Sequence, residues 1–332
     1  MPEIPVIVLF GPTASGKTEI LTRLFPGGTS THPQKIPATE LVSADSMQVY
    51  RGMDIGTAKP PPSIRSVLPH HLIDILDPRE QFNAGEFVRL ADESCAAIHG
   101  RGALPFVSGG AGFYLKNFIQ GLPESPPSSA ALREELSAEL RIAGRAHLIA
   151  ELCRADPESA ARIHTNDDYR LLRALEVLRL TGRPLSSYAM NAGKRHEKYR
   201  FLLIGLEWER EALYRRVNRR CARMFAEGLP REVRALFDKG YTPRDPGLRA
   251  IGYKEFFIDD FAGGWRLSDD LAGVEALVAR HSRQYAKRQI TWFKKVSGVL
   301  WVKLDEDVNS IENAAADVRQ KIDTFLEAGD GL

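Results

Sequence analysis

The sequence predicts an α/β protein: a parallel sheet flanked by helices, with an all-helical segment inserted into it. Three observations lead there. Short apolar runs recur at Val6–Phe10, Thr39–Ala44, Leu104–Ser108, Phe201–Leu206 and Val299–Leu304, with helical patterns between most of them. The first run is almost unbroken from Ile4 to Phe10, as a strand buried on both faces requires. From Ala130 to Leu180 the pattern turns helical and offers no good strand.

The expected division is a core of residues 1–122 and 198–332 and a helical insert of residues 123–197. A Pro/Ser-rich segment, Gly121–Ser129, leads into the insert, and a loose stretch from Tyr188 to Lys198 leads out. A chain of 332 residues buries a full core without staples. Hydrophobic content of 43% and charged content of 27% fit a soluble globular enzyme. The apolar runs are too short to cross a bilayer, and the N-terminal segment lacks a basic region, so neither membrane span nor signal peptide is expected. Cys95, Cys153 and Cys221 are far apart and suit neither a disulfide framework nor a zinc site; buried or half-buried thiols in a reducing cytoplasm are expected.

After the first strand, Gly11-Pro12-Thr13-Ala14-Ser15-Gly16-Lys17-Thr18 fits G-x-x-x-x-G-K-[ST]. The glycines let the backbone wrap closely around phosphates, the following helix offers its N-terminus to an anion, Lys17 adds a point charge, and Thr18 offers a hydroxyl to Mg²⁺. The core is therefore P-loop NTPase-like, and by motif alone its ligand is a nucleotide such as ATP. An apolar strand ending in an aspartate for Mg²⁺ is the usual companion. The nearest candidate, His70–Asp77, has a poor pattern, which weighs against ATP hydrolysis. His70 and His71 themselves read as structural or surface residues.

Asp45 ends the second strand and enters an irregular stretch, where functional carboxylates often sit. Metal ligand, general base and turn cap are all open to it. Glycines 109 and 110 follow the third strand. If these strands are parallel neighbours, phosphate loop, Asp45 and glycines meet at one rim. Farther on, Arg215–Arg223 holds five arginines and no acid, and Arg280–Lys295 six Lys/Arg and no acid. Such local patches suit a polyanionic partner. Leu213, Val217, Cys221 and Met224 form one apolar stripe of a helix, with Arg216, Arg220 and Arg223 beside it within about 60°, so all three guanidiniums could aim at one anion.

Taken together, GPTASGKT, SADSMQVYRGMDIGTAKP, SGGAGFYLKNFIQGL, IHTNDDYRLLRALEVLRLTGRP, RAIGYKE and YAKRQITWFK closely resemble the bacterial tRNA dimethylallyltransferase (isopentenyltransferase) family, in the family's order, from about Val6 to Lys294. The resemblance implies transfer of a dimethylallyl group from its diphosphate to N6 of adenine 37, in tRNAs reading codons that begin with U. It implies that the phosphate loop holds a prenyl diphosphate, that Asp45 is the base, that Thr18 meets Mg²⁺ or diphosphate, and that Lys17 and Arg220 hold diphosphate. Asp45, Ser46, Met47 and Gln48 are expected around the target adenine. Tyr169, Arg170, Leu171, Leu172 and Arg173 of the insert, with Arg249, Ala250, Ile251, Gly252, Tyr253 and Lys254, are expected at the anticodon stem-loop. Lys287, Arg288 and Gln289 are expected to touch the RNA, and the stretch from Lys287 to Lys294 to help close the reaction channel. The family's usual threonine after Gly109-Gly110 is Ala111 here, which removes a hydroxyl from the tRNA side. A monomer acting in the cytoplasm is the implied form.

Overall fold

The computed structural model describes residues 3–26, 38–122, 125–126, 128–188, 195, 197–260 and 263–328. The chain divides into two compact units, Met1–Phe118 with Lys198–Leu332, and Ile119–Glu197.

The first unit is built on a parallel sheet. Its strands are β1 (Ile4–Phe10), β2 (Thr39–Ala44), β3 (His70–His71), β4 (Leu104–Gly109), β5 (Tyr199–Trp208) and β8 (Val299–Leu304), in the order β3-β2-β4-β1-β5-β8. All of their pairings are parallel. Val6 to Phe10 of β1 are essentially inaccessible, as the apolar run anticipates for a central strand. Helices α1 (Lys17–Leu24), α3 (Ala84–Gly100), α10 (Leu271–Phe293) and α11 (Ser310–Glu327) belong to this unit, as do α8 (Arg210–Glu227) and α9 (Leu229–Asp238). A single turn, α2 (Pro62–Arg65), precedes β3. Helix α4 (Gly112–Gln120) follows β4.

Two features were not anticipated. His70 and His71 form an edge strand, with the His71 ring 2.7 Å from Glu40 Oε2; the strand is new, and the structural role is the expected one. A small antiparallel hairpin, β6 (Phe257–Asp259) with β7 (Trp265–Leu267), lies outside the main sheet. Among the thiols, Cys95 and Cys221 are buried, but Cys153 is exposed rather than packed.

The second unit is helical among the described residues: α5 (Ala130–Ala155), kinked where Gly144 leaves helical geometry, α6 (Pro157–Arg162) and α7 (Asp168–Thr181). Leu136, Leu148, Leu152, Leu171, Leu172 and Leu175 make its core. The Pro/Ser-rich entry is held to α7. Glu176, fully buried, accepts the Ser128 hydroxyl at 2.6 Å and the Ser129 N–H at 2.7 Å. Most of the exit stretch from 188 to 198 lies outside the described residues.

Candidate active site

The strands β2, β4 and β1 are consecutive neighbours running the same way, so the segments after their C-terminal ends share one rim. Gly109 sits against β2 so closely that a Cβ there would lie 2.0 Å from the Ala44 carbonyl oxygen. That contact explains the glycine and joins the third rim segment to the one carrying Asp45. The Ala111 N–H then donates to the same carbonyl at 3.1 Å.

The phosphate loop is braced from three directions. Gln289 of α10, buried, accepts the Thr13 N–H at 2.8 Å and donates to the Gly110 carbonyl at 2.8 Å. Trp208 at the end of β5 donates its indole N–H to the Ser15 carbonyl at 3.0 Å. Arg216 of α8 donates to the Ala14 carbonyl at 2.9 Å and lies over the Trp208 ring. Ala14 is held at φ 62°, a left-handed conformation that a non-glycine residue adopts at a cost. Gly16, at φ 91°, takes the same region without penalty. No side chain caps the start of α1, so its first N–H groups are available to an anion.

Lys17 donates from Nζ to the carbonyls of Gly11 and Pro12, each at 2.9 Å. Burial, and after it the neighbouring Arg220, bring its ammonium down to about 7, with Asp45 working in the opposite direction. Burial also lowers Arg220, again opposed by Asp45. Thus two cations and one carboxylate, all half-buried, sense one another.

Asp45 Oδ1 accepts the N–H groups of Met47 (2.8 Å) and Gln48 (3.3 Å), which closes the turn after β2. The turn-cap role is therefore real: one carboxylate oxygen is tied to the backbone, and Asp45 also lines a cavity of about 320 Å³. Thr13, Ala14 and Arg220 line that cavity too. Part of its remaining wall is apolar: Val217, Cys221 and Met224 of α8, Val278 of α10, and Ala250 and Ile251. Tyr285 also faces it, its hydroxyl pushed up to about 12 by burial and then by Asp45.

The three arginines of the stripe do line one hollow, but they are not equally free in it. A second hollow is lined by Ala14, Arg216, Arg219, Arg220 and Arg223. Only Arg220 also lines the cavity with Asp45. Arg216 is committed to Ala14 and to Glu19 at 3.0 Å, and Arg223 is exposed beside Glu227.

The comparisons with known proteins decide the family. The sequence matches the IPP transferase family over residues 48–296. The chain belongs to that family. Among relatives, it is 43% identical over 312 residues to a tRNA dimethylallyltransferase of Geobacter sulfurreducens, covering 93% of this chain and 95% of that one. It is 44% identical to tRNA dimethylallyltransferase 2 of Geotalea uraniireducens, covering 94% and 96%. Its fold is similar to the crystal structure of the Bacillus halodurans tRNA isopentenylpyrophosphate transferase, with TM-score 0.66, 36% identity and coverage of 98% and 99%. A eukaryotic dimethylallyltransferase acting on tRNA gives TM-score 0.76 at 26% identity, covering 96% of this chain and 78% of the other.

In this IPP transferase, the residues expected to meet RNA separate by position. Ser46, Met47, Arg249, Ala250, Ile251, Lys254 and Arg288 line the cavity beside Asp45. Lys287 is exposed on α10. Gln48 faces inward, its amide within 3.3 Å of the Thr57 and Ala58 carbonyls and its oxygen accepting from Ser43 at 3.0 Å. Gln289 is a correction: it clamps the phosphate loop and is too buried to reach RNA. Tyr253 is another, fully buried with its hydroxyl donating to Glu232 at 2.6 Å, and Gly252 is buried beside it. In the insert, Tyr169 is exposed under the Arg133 guanidinium and Arg170 is exposed. Leu171 and Leu172 point into the insert's core, so neither is free for an anticodon contact. Arg173 is occupied by Glu176 and the Pro126 carbonyl.

Sequence reasoning missed Glu232. From α9 it accepts the N–H groups of Asp54 (2.9 Å), Ile55 (2.8 Å) and Gly56 (3.2 Å) as well as the Tyr253 hydroxyl. It thereby ties together two walls of the cavity, the segment holding Gly56 and Thr57 and the segment from Arg249 to Lys254. Glu232→Gln keeps the shape but places an amide among donors. Hydrogen bonds to a charged group contribute about 1.5–3 kcal/mol, so we expect a loss of roughly 2 kcal/mol in urea unfolding. Unchanged unfolding would remove Glu232 from this role.

Proposed function

We propose that the chain transfers a dimethylallyl group from dimethylallyl diphosphate to N6 of adenine 37 in tRNAs reading codons that begin with U, releasing diphosphate. The observation that carries this reading is the shared cavity: Thr13 and Ala14 of the phosphate loop, Arg220 and Asp45 line it together with the apolar Val217, Met224, Ile251 and Val278. A nucleotide kinase needs none of that apolar wall beside its phosphates, whereas a prenyl donor needs it.

The exocyclic amine of adenine is a poor nucleophile because its lone pair is delocalised into the ring. As N6 attacks the allylic carbon, its proton must leave. Asp45 accepts it, with Oδ1 held by two backbone N–H groups so that the carboxylate stays in place. The carbon–oxygen bond to diphosphate breaks, and negative charge grows on the leaving group. Lys17, Arg220 and the N–H groups opening α1 meet that charge, already oriented and partly dehydrated. The adenine must leave its stack for N6 to reach the donor. Exposed cations such as Arg249, Lys254, Lys287 and Arg288 meet the tRNA backbone, and Tyr169 and Arg170 of the insert serve the same partner.

Magnesium fits this arrangement in one way. Thr18 places an exposed hydroxyl at the start of α1, and among the described residues no cluster of carboxylates, histidines and cysteines could hold an ion by itself. Thr18 would be the protein ligand of an Mg²⁺. Such an ion would supply neutralising charge to the diphosphate. No helix among the described residues is long and apolar enough to cross a membrane, and we take the enzyme to act as a monomer in the cytoplasm.

Mass spectrometry of nucleosides from tRNA treated with the protein, Mg²⁺ and dimethylallyl diphosphate tests the reading. Adenosine heavier by one dimethylallyl group, mapped to position 37, is the expected product; unmodified tRNA would reject it.

The lowered Lys17 makes a pH prediction. Above about 7 the free amine predominates, and diphosphate binding must draw a proton onto it; below that value the ammonium is already formed. Calorimetry in buffers of differing ionisation enthalpy should report uptake of close to one proton at pH 8. Lys17→Arg, permanently charged, should bind without that uptake. Equal proton counts for both proteins would contradict the assignment.

A further inference from the structure

The cavity is graded along two helices. Arg283 of α10 donates to Asn218 of α8, and the Cys221 sulfur lies 3.8 Å from the Ser282 hydroxyl oxygen. Moving up α8 therefore means moving down α10, and the same antiparallel register brings Met224 level with Val278. At the other end of this stretch, α10 carries Tyr285 and Arg288 into the cavity and Gln289 onto the phosphate loop. The phosphate-loop end and the Met224–Val278 end thus lie at opposite ends of one helix pair, the segment Lys254–Phe256 packing at the latter. Met224 stands four residues beyond Arg220, about 6 Å along the axis. Val217, Cys221, Met224 and Val278 are all buried and all line the cavity.

Resting on the prenyl-transfer reading, we propose that Met224, backed by Val278, is the floor that sets the length of the transferred chain. With the diphosphate fixed at Arg220 and the phosphate loop, a five-carbon group occupies the space before Met224. A ten-carbon geranyl group, longer by one isoprene unit, meets the methionine side chain. Methionine suits such a floor, since its unbranched thioether fills an irregular gap without offering a polar group. The reacting carbon, bonded to the diphosphate oxygen, lies before this end, so the residue governs which donor fits rather than how the chemistry runs.

The test offers the wild-type enzyme and variants an equimolar mixture of dimethylallyl and geranyl diphosphates with tRNA, and reads both products by mass spectrometry. Wild type should transfer the five-carbon group almost exclusively. Met224→Ala should raise the geranyl-to-dimethylallyl ratio by about tenfold to a hundredfold, the range over which an apolar pocket discriminates by size. Val278→Ala should move it the same way by less. Met224→Phe should raise KM for dimethylallyl diphosphate and leave KM for tRNA unchanged. If Met224→Ala loses its cooperative melt, Val278→Ala carries the measurement. A ratio unmoved in folded variants that still transfer dimethylallyl overturns the floor alone. A wild-type protein that transfers neither group overturns the prenyl-transfer reading and the floor with it.

Discussion

Asp45→Asn should lower turnover by about two to four orders of magnitude, the usual contribution of a positioned general base. The substitution is nearly isosteric. Asparagine can still accept the Met47 and Gln48 N–H groups through its carbonyl oxygen, so the turn after β2 keeps its shape. What disappears is the capacity to take a proton from N6. Affinity for tRNA, measured by filter binding, should therefore stay close to wild type while single-turnover transfer collapses. Wild-type rates in the variant would remove Asp45 as the base. A matching loss of tRNA affinity would instead reduce it to a structural cap.

Arg220→Ala should have the next largest effect, on the donor. Arg220 is the one arginine that lines both the cavity with Asp45 and the neighbouring arginine hollow. It is half-buried, and the burial that lowers its pKa limits the water that competes for its guanidinium. Losing a preorganised donor to a developing anion costs about 2.7–4 kcal/mol, or a hundredfold to a thousandfold in rate. We expect that loss in kcat/KM for dimethylallyl diphosphate, with a small change in tRNA affinity. Arg220→Lys should recover only part of it, since an ammonium lacks the planar fork of donors. A fall in tRNA affinity larger than the fall in donor use would mean that this face of α8 meets RNA.

Much of the site was legible in the sequence because it is local. The phosphate loop is eight consecutive residues whose types dictate their geometry. Asp45 and the glycines 109 and 110 each follow an apolar run, and parallel pairing of β2, β4 and β1 then brings all three to one rim. What escaped depends on contacts between distant positions. Gln289 sits in a basic, RNA-like stretch, yet it reaches across 276 positions to hold the Thr13 N–H. Glu232 lies in an ordinary amphipathic helix, and only the packing of α9 against the segment 54–56 turns it into a carboxylate clamp. Leu171 and Leu172 were grouped with their charged neighbours by motif, although helical spacing alone marks them as core. The three-arginine stripe was drawn correctly as an angle on a helix. No angle reveals that Glu19 and the Ala14 carbonyl already occupy Arg216.

The central claim is that the anion at the glycine-rich loop carries an isoprenoid and that an RNA amine receives it. Its most direct test presents the protein with tRNA and Mg²⁺ together with either dimethylallyl diphosphate labelled in the prenyl group or ATP labelled in the γ-phosphate. Label reaching tRNA from the prenyl donor alone, and lost when Asp45 is replaced by asparagine, is the predicted result. Phosphate released from ATP with no prenyl label on tRNA would contradict the account.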